Sequence, residues 1–228
     1  LWDKPFLELH DAVKRCEPPT ADGLPRATIS DDDFVQLAAV TAANDWARAI
    51  ATAVVANSSS EPRVGLDPEW NQDETHAVAR TLQLAFPSEI TRQAVVIKLD
   101  KMGARTKQAF PRELKRLLEL PKLVPCGVNI GCDITRLQQL GVRFHEALEV
   151  SALAKQVESG HRDGRSMMAV CARFLGIGAD KLGQDADWSG DLEPELLRDA
   201  ALDAALSLQL RARLLPVPRG THHRGLEE

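Results

Sequence analysis

The spacing of apolar positions changes repeatedly along the chain, and each change predicts an element. "FVQLAAV" (34–40) is a short apolar run that predicts a strand. In "TAANDWARAIATAVVA" (41–56) the apolar positions recur at helical spacing, with Thr41 or Asn44 near the start of the helix. "NSSSEP" (57–62) is a loop, and "RVGLDPEW" (63–70) a strand-like run broken by a proline. "ARTLQLAF" (79–86) alternates and "QAVVIKL" (93–99) is β-branched, so both predict strands. "FPRELKRLLEL" (110–120) is an amphipathic helix with Pro111 in its first turn. "VPCGVNI" (124–130) is a strand running through Gly131 into the helix "DITRLQQL" (133–140). "FHEALEVSALAKQV" (144–157) and "RSMMAVCARFLGI" (165–177) predict a strand-to-helix step and a helix, with Met167 and Met168 in the core. The last helix covers 193–214.

Strands that alternate with helices predict an α/β sheet protein. Residues 1–30 are rich in Pro and polar side chains and read as an N-terminal extension with little core of its own. Residues 31–215 then form one domain, and 216–228 a disordered tail.

Composition narrows the class. The chain has 228 residues, 44% hydrophobic and 27% charged, enough for a full core. No window approaches the length of a membrane span, so no membrane partner is expected. The sequence opens on Leu1 with no signal-peptide pattern and reads as an excised fragment. Cys16, Cys126, Cys132 and Cys171 lie far apart with no CxxC pair, which fits reduced structural cysteines in an intracellular, nuclear or cytoplasmic protein. A net charge of −5 excludes coating nucleic acid by bulk charge, but suits an acidic site completed by cations.

Several carboxylates stand out against that background. Asp67 and Glu69 are two apart on a strand, so both side chains leave the same side of the sheet. By itself such a pair also fits a solvated face. Asp133 follows a strand, where it fits a helix N-cap equally well. Asp199 and Asp203 lie one turn apart on the otherwise apolar "LLRDAALDAAL", where like charges repel by roughly 0.2–0.5 kcal/mol even when exposed. Carboxylates gathered from separate segments stay ionised only if cations compensate them. Two divalent ions about 3.5–4 Å apart would do so and would catalyse phosphoryl transfer. Hard oxygen ligands suit Mg²⁺ or Mn²⁺.

"VGLDPEW", "VPCGVNIGCDITRL" and the segment from "FLGIGADKLG" through "DADWSGDLEPELLRDAALDAAL" together resemble the three motifs of the DEDD-type 3′→5′ exonucleases, nearest to the ribonuclease D, Werner exonuclease and Nibbler branch. Asp67, Glu69 and Trp70 match the first motif and Asp133 the second. Leu175–Gly176, Lys181, Asp187–Trp188–Ser189 and Asp203 follow the order of the third, and Gln83 matches a glutamine of the family's second strand. The resemblance spans about residues 31–212. It implies a ribonuclease H-like three-layer fold with a five-stranded mixed sheet flanked by helices. It also implies two-metal hydrolysis of the terminal phosphodiester of single-stranded RNA or DNA, releasing nucleoside 5′-monophosphates. Asp67, Glu69 and Asp203 would hold the metals, with Asp133 supporting the second.

One position departs from the family. The tyrosine that orients the attacking water four residues before the last Asp is replaced by Asp199, and the chain has no tyrosine at all. The histidine that the sister branch carries five residues before is replaced by Arg198. Asp199 either takes the proton of the attacking water, adds a metal ligand, or marks a domain that binds RNA or protein without cutting.

For substrate binding, Arg112, Lys115 and Arg116 within "KMGARTKQAFPRELKRLLELPK" form either a backbone-binding strip or a solvated face. Trp70 would stack on a terminal base or pack against the sheet, and Arg165 and Lys181 would approach phosphates. His145 and His161 read as structural or surface residues. Single-stranded 3′ ends are the expected partner, with RNA placed ahead of DNA.

Overall fold

The computed structural model describes residues 24–57, 62–71, 78–157, 166–178 and 186–215, together with the backbone of 13–16. Lys181, His161, Arg165 and the segment 216–228 lie outside the described residues.

A mixed sheet is built from β3 (Phe34–Leu37), β4 (Arg63–Glu69), β5 (Thr81–Ala85), β6 (Ala94–Ile97), β7 (Val124–Gly127) and β8 (Leu148–Glu149), in the order β3-β6-β5-β4-β7-β8. It has six strands rather than five. Leu148–Glu149 adds a two-residue edge strand parallel to β7, too short to leave a periodic signal. β4 pairs antiparallel with β5 and parallel with β7, and β5 antiparallel with β6.

Alternation along these strands sends side chains to two different cores. Val64, Leu66, Leu82, Leu84, Val95 and Ile97 join a cluster with α1 (Val40–Ala56), α2 (Arg112–Leu118) and α3 (Ile130–Gln139). Ala85, Ala94, Val96 and Cys126 join a second cluster with α4 (Val150–Val157), α5 (Met167–Leu175) and α6 (Pro194–Leu214). The result is a three-layer α/β fold, each buried Leu, Ile or Val contributing about 1.5–3 kcal/mol.

β1 (Val13–Cys16) and β2 (Arg26–Ile29) form an antiparallel pair within the stretch read as an extension. Ala27 and Ile29 are buried in the α6-side core, and the Ala27 amide donates to the Gly178 carbonyl at 2.8 Å. Four residues bounded by Pro25 and "SDDD" carry too little pattern to announce a strand.

The proline of "RVGLDPEW" does not break its strand. β7 pairs with β4 only from Arg63 to Gly65, so Pro68 lies where β4 has become an edge and a missing N–H is tolerated. Met167 is buried, but Met168 is 45% exposed, because successive helical residues point about 100° apart.

Candidate metal centre

The strand period carries Gly65, Asp67 and Glu69 to the face of β4 that meets α6. Asp67 and Glu69 are half-buried there, and Asp203 of α6 is buried against them. One carboxylate oxygen from each of the three lies within 4.8 Å of the others. Gln83 stands opposite Asp67 and Thr81 opposite Glu69 on β5, and the Gln83 amide donates to Thr81 Oγ1 at 2.7 Å.

α6 reaches the acids because its face toward the sheet is made of small residues. Ala200, Ala201, Ala204 and Ala205 are all buried, and the helix as a whole is enclosed by the sheet, β2, α4 and α5. Contact is closest at Gly65, where a Cβ would stand 1.9 Å from the Ala204 carbonyl oxygen. That carbonyl is the neighbour of Asp203 in sequence. Gly65 was not singled out by its local pattern. Its signal is position alone, two residues before Asp67 on the same face.

Asp133 lies in the first turn of α3, buried, and is not the N-cap. The cap is Asn129, in the left-handed region at φ 60°, and the helix starts three residues earlier than "DITRLQQL" suggests. Glu149 holds that start in place. Its carboxylate accepts the amides of Asn129 and Ile130, each at 3.0 Å, and the amide and hydroxyl of Ser151. An acidic acceptor suits the amide end of a helix, and its donors arrive from 20 residues away, beyond the reach of capping rules. Removing it by Glu149→Ala is expected to destabilise the protein by about 1–3 kcal/mol, read by urea unfolding, and to loosen the turn bearing Asp133.

Asn71, just past the first acid pair, clamps the third motif. Its amide donates to Asp187 at 2.9 Å and its carbonyl accepts the Trp188 amide at 2.8 Å. Trp188 is buried. Bonds from the Ser189 hydroxyl and amide, then from Asn71, hold the Asp187 carboxyl below its ordinary pKa. Asp100 ties the same loop to β5, taking Arg80 at 2.5 Å, Arg105 Nε at 2.9 Å and the Gly190 amide at 3.3 Å. Burial pushes its pKa up, but these donors outweigh it and the net shift is downward.

The other candidates fall elsewhere. Asp199 is half-buried, outside the three-acid group, and lines a crevice with Arg26 and Thr28 of β2 and with Glu195, Arg198 and Leu202. Arg112, Lys115 and Arg116 sit on α2, in the layer across the sheet from α6. Arg116 pairs with Glu113 at 2.9 Å, while Lys115 lies 3.9 Å from Glu119. The Trp70 ring carries the Arg136 guanidinium 5.1 Å from its centroid. Cys126 and Cys171 are buried free thiols, Cys126 pushed up to about 12 by burial, and Cys132 is exposed. Among the described residues, no helix is long and apolar enough to cross a membrane.

Three hard carboxylate donors from two elements, packed this closely, fit a divalent cation of the Mg²⁺ or Mn²⁺ kind. Comparison with known proteins agrees with that chemistry. A family model described as 3′-5′ exonuclease matches residues 43–217. The chain belongs to the 3′-5′ exonuclease family. Hydrolysis of nucleic-acid phosphodiesters from the 3′ end is the activity that defines it.

The fold of this exonuclease domain is similar to the Nibbler EXO domain of Aedes aegypti, with a TM-score of 0.67 at 15% identity over 82% of this chain and 90% of that one. It is similar to Trypanosoma brucei RNase D in complex with RNA U12, with a TM-score of 0.65 at 17% identity over 82% and 63%. The catalytic core of Trypanosoma brucei Rrp6 gives a TM-score of 0.64 at 15% identity over 82% and 48%. This chain therefore spans about half the length of the Rrp6 core. No curated protein sequence matches it.

Proposed function

We propose that this domain hydrolyses the terminal phosphodiester of single-stranded nucleic acid by a two-metal mechanism, RNA ahead of DNA. The observation that carries the proposal is the convergence of Asp67, Glu69 and Asp203. In this reading those three carboxylates hold the cations and Asp133 supports the second from α3. Divalent cations bound there would supply Lewis-acid activation of water and charge stabilisation at the phosphate. Asp199, one turn before Asp203, is assigned as the proton acceptor for the attacking water in place of the absent tyrosine. The cations of α2 are assigned to solvated ion pairs rather than to substrate. RNA is placed first because the similar RNase D structure is of a complex with RNA U12.

A second reading, a domain that binds nucleic acid without cutting, is favoured by two observations. The chain has no tyrosine, and Asp199 borders a crevice shared with β2. A gel assay with 5′-labelled single-stranded RNA and DNA, in Mg²⁺, Mn²⁺ or EDTA, separates the two. The expected result is a metal-dependent ladder shortening from the 3′ end, absent in Asp67→Ala and weakened about 10²-fold or more in Asp199→Ala. No ladder on either substrate, with wild type matching Asp67→Ala, establishes the second reading.

A further inference from the structure

Gln83 lies on an inner strand of the sheet and is fully buried, at 0% exposure. Its neighbours along β5 fix the face it is on. Leu82 and Leu84 enter the core on the α1 side and Ala85 the core on the α6 side, so alternation turns Thr81 and Gln83 toward α6. That is the face of Asp67 and Glu69. Gln83 stands between Asp67 on β4 and Val96 on β6, and Thr81 stands opposite Glu69. One end of the Gln83 carboxamide is in use, its Nε2 donating to Thr81 Oγ1 at 2.7 Å. The other end is not. Oε1 is closed off from solvent and has no hydrogen-bond partner. Neither flanking side chain can supply a donor, since an ionised carboxylate only accepts and valine has no polar atom. A buried carbonyl left unmet costs free energy, so its donor is expected to arrive with something that binds.

Resting on the assignment of divalent cations to Asp67, Glu69 and Asp203 above, we propose that Gln83 is a positioning residue of that centre, its buried carbonyl accepting a hydrogen bond from the hydration water of the cation. Three carboxylates do not complete the octahedral shell of a Mg²⁺-like cation, which keeps several waters. Such a water is a donor held in a fixed place. An acceptor already tethered to Thr81 meets it with little further loss of side-chain freedom. Partners of this outer kind orient the ligands and set the affinity of the site. Gln83 touches neither nucleic acid nor the reacting atoms in this reading, and acts through the cation site alone.

The test measures Mn²⁺ binding in the absence of nucleic acid, from the electron paramagnetic resonance signal of the free ion. Gln83→Met combined with Thr81→Val removes the carbonyl, the amide and the hydroxyl together, so no buried polar group is left without its partner. The midpoint of this double variant in EDTA should lie at or above that of wild type. Its affinity for Mn²⁺ should nevertheless fall by about 10–100-fold. A better-folded protein with a weaker site is a pair of results that a merely structural glutamine does not give. Thr81→Val alone keeps the carbonyl but loosens its tether, and should lose less affinity than the double variant. Wild-type affinity in the double variant overturns the proposal, as does a wild-type protein that does not bind Mn²⁺. Should the double variant fail to fold, Thr81→Val decides: reduced affinity supports the proposal and unchanged affinity overturns it. A protein that binds Mn²⁺ in this Gln83-dependent way yet makes no 3′ ladder sinks the hydrolytic reading alone and leaves the role of Gln83 standing.

Discussion

Asp203→Asn is expected to lose activity and gain stability together. The asparagine keeps the shape of the side chain but removes one of three carboxylates whose oxygens lie within 4.8 Å of each other. Without a full ligand set the cations bind poorly, and losing several kcal/mol of transition-state stabilisation lowers kcat/KM by about 10³-fold or more. In EDTA the same change relieves like-charge repulsion between groups removed from bulk water, worth about 1–2 kcal/mol after screening. For a chain of this size that corresponds to an unfolding midpoint raised by roughly 2–8 °C. Cations invert the order. Wild type in Mg²⁺ or Mn²⁺ at 100 times its dissociation constant gains about 2.7 kcal/mol, and the variant gains little. Differential scanning fluorimetry in EDTA and in metal therefore gives curves that cross. Curves that do not cross, with the variant gaining as much midpoint from Mg²⁺ or Mn²⁺ as wild type, would sink the metal assignment.

The acid pair was legible because strand geometry has a period of two and needs no tertiary information. Asp67 and Glu69 share a face whatever packs on it. Asp203 was conspicuous for the opposite reason, a charge within a helix apolar on every side, and enclosure of that helix by four other elements explains the composition. What stayed hidden depends on partners distant in sequence. The start of α3 is decided by Glu149, 20 residues beyond the amide it accepts, so the local pattern placed the helix too late and made Asp133 a cap candidate. Asn44, placed with Thr41 as a candidate for the start of its own helix, accepts the Glu113 amide of α2 at 2.8 Å. Pro68 suggested a break because the sequence does not show that β7 stops pairing at Gly65. The basic strip was visible as charge, but only the three-layer arrangement shows that α2 lies across the sheet from α6.

Among the glycines of the described residues, Gly65 is the one where an added methyl group is expected to do the most damage. Its Cβ would stand 1.9 Å from the Ala204 carbonyl oxygen, 2.9 Å from its carbon and 3.1 Å from the Leu208 amide. These are backbone atoms in the middle of a 21-residue helix buried against the sheet, so no rotamer change relieves the contact. Either α6 moves away from β4 or β4 distorts, and each opens the core on both sides of the helix. Overpacking of this kind costs about 3 kcal/mol or more, lowering the unfolding midpoint by roughly 6–12 °C. The same displacement carries Asp203 away from Asp67 and Glu69, so the residual folded protein should also lose the metal-dependent rise in its midpoint. Gly131→Ala is the matched control. A Cβ there meets nothing within 4 Å, and the residue lies in the first turn of α3 without a positive φ. Alanine at that site should stabilise by about 0.4–1 kcal/mol through the unfolded chain. Equal effects from the two substitutions would mean that α6 does not depend on the missing side chain at Gly65. Opposite signs would identify that glycine as the residue that lets the last helix, and with it the third carboxylate, close on the other two.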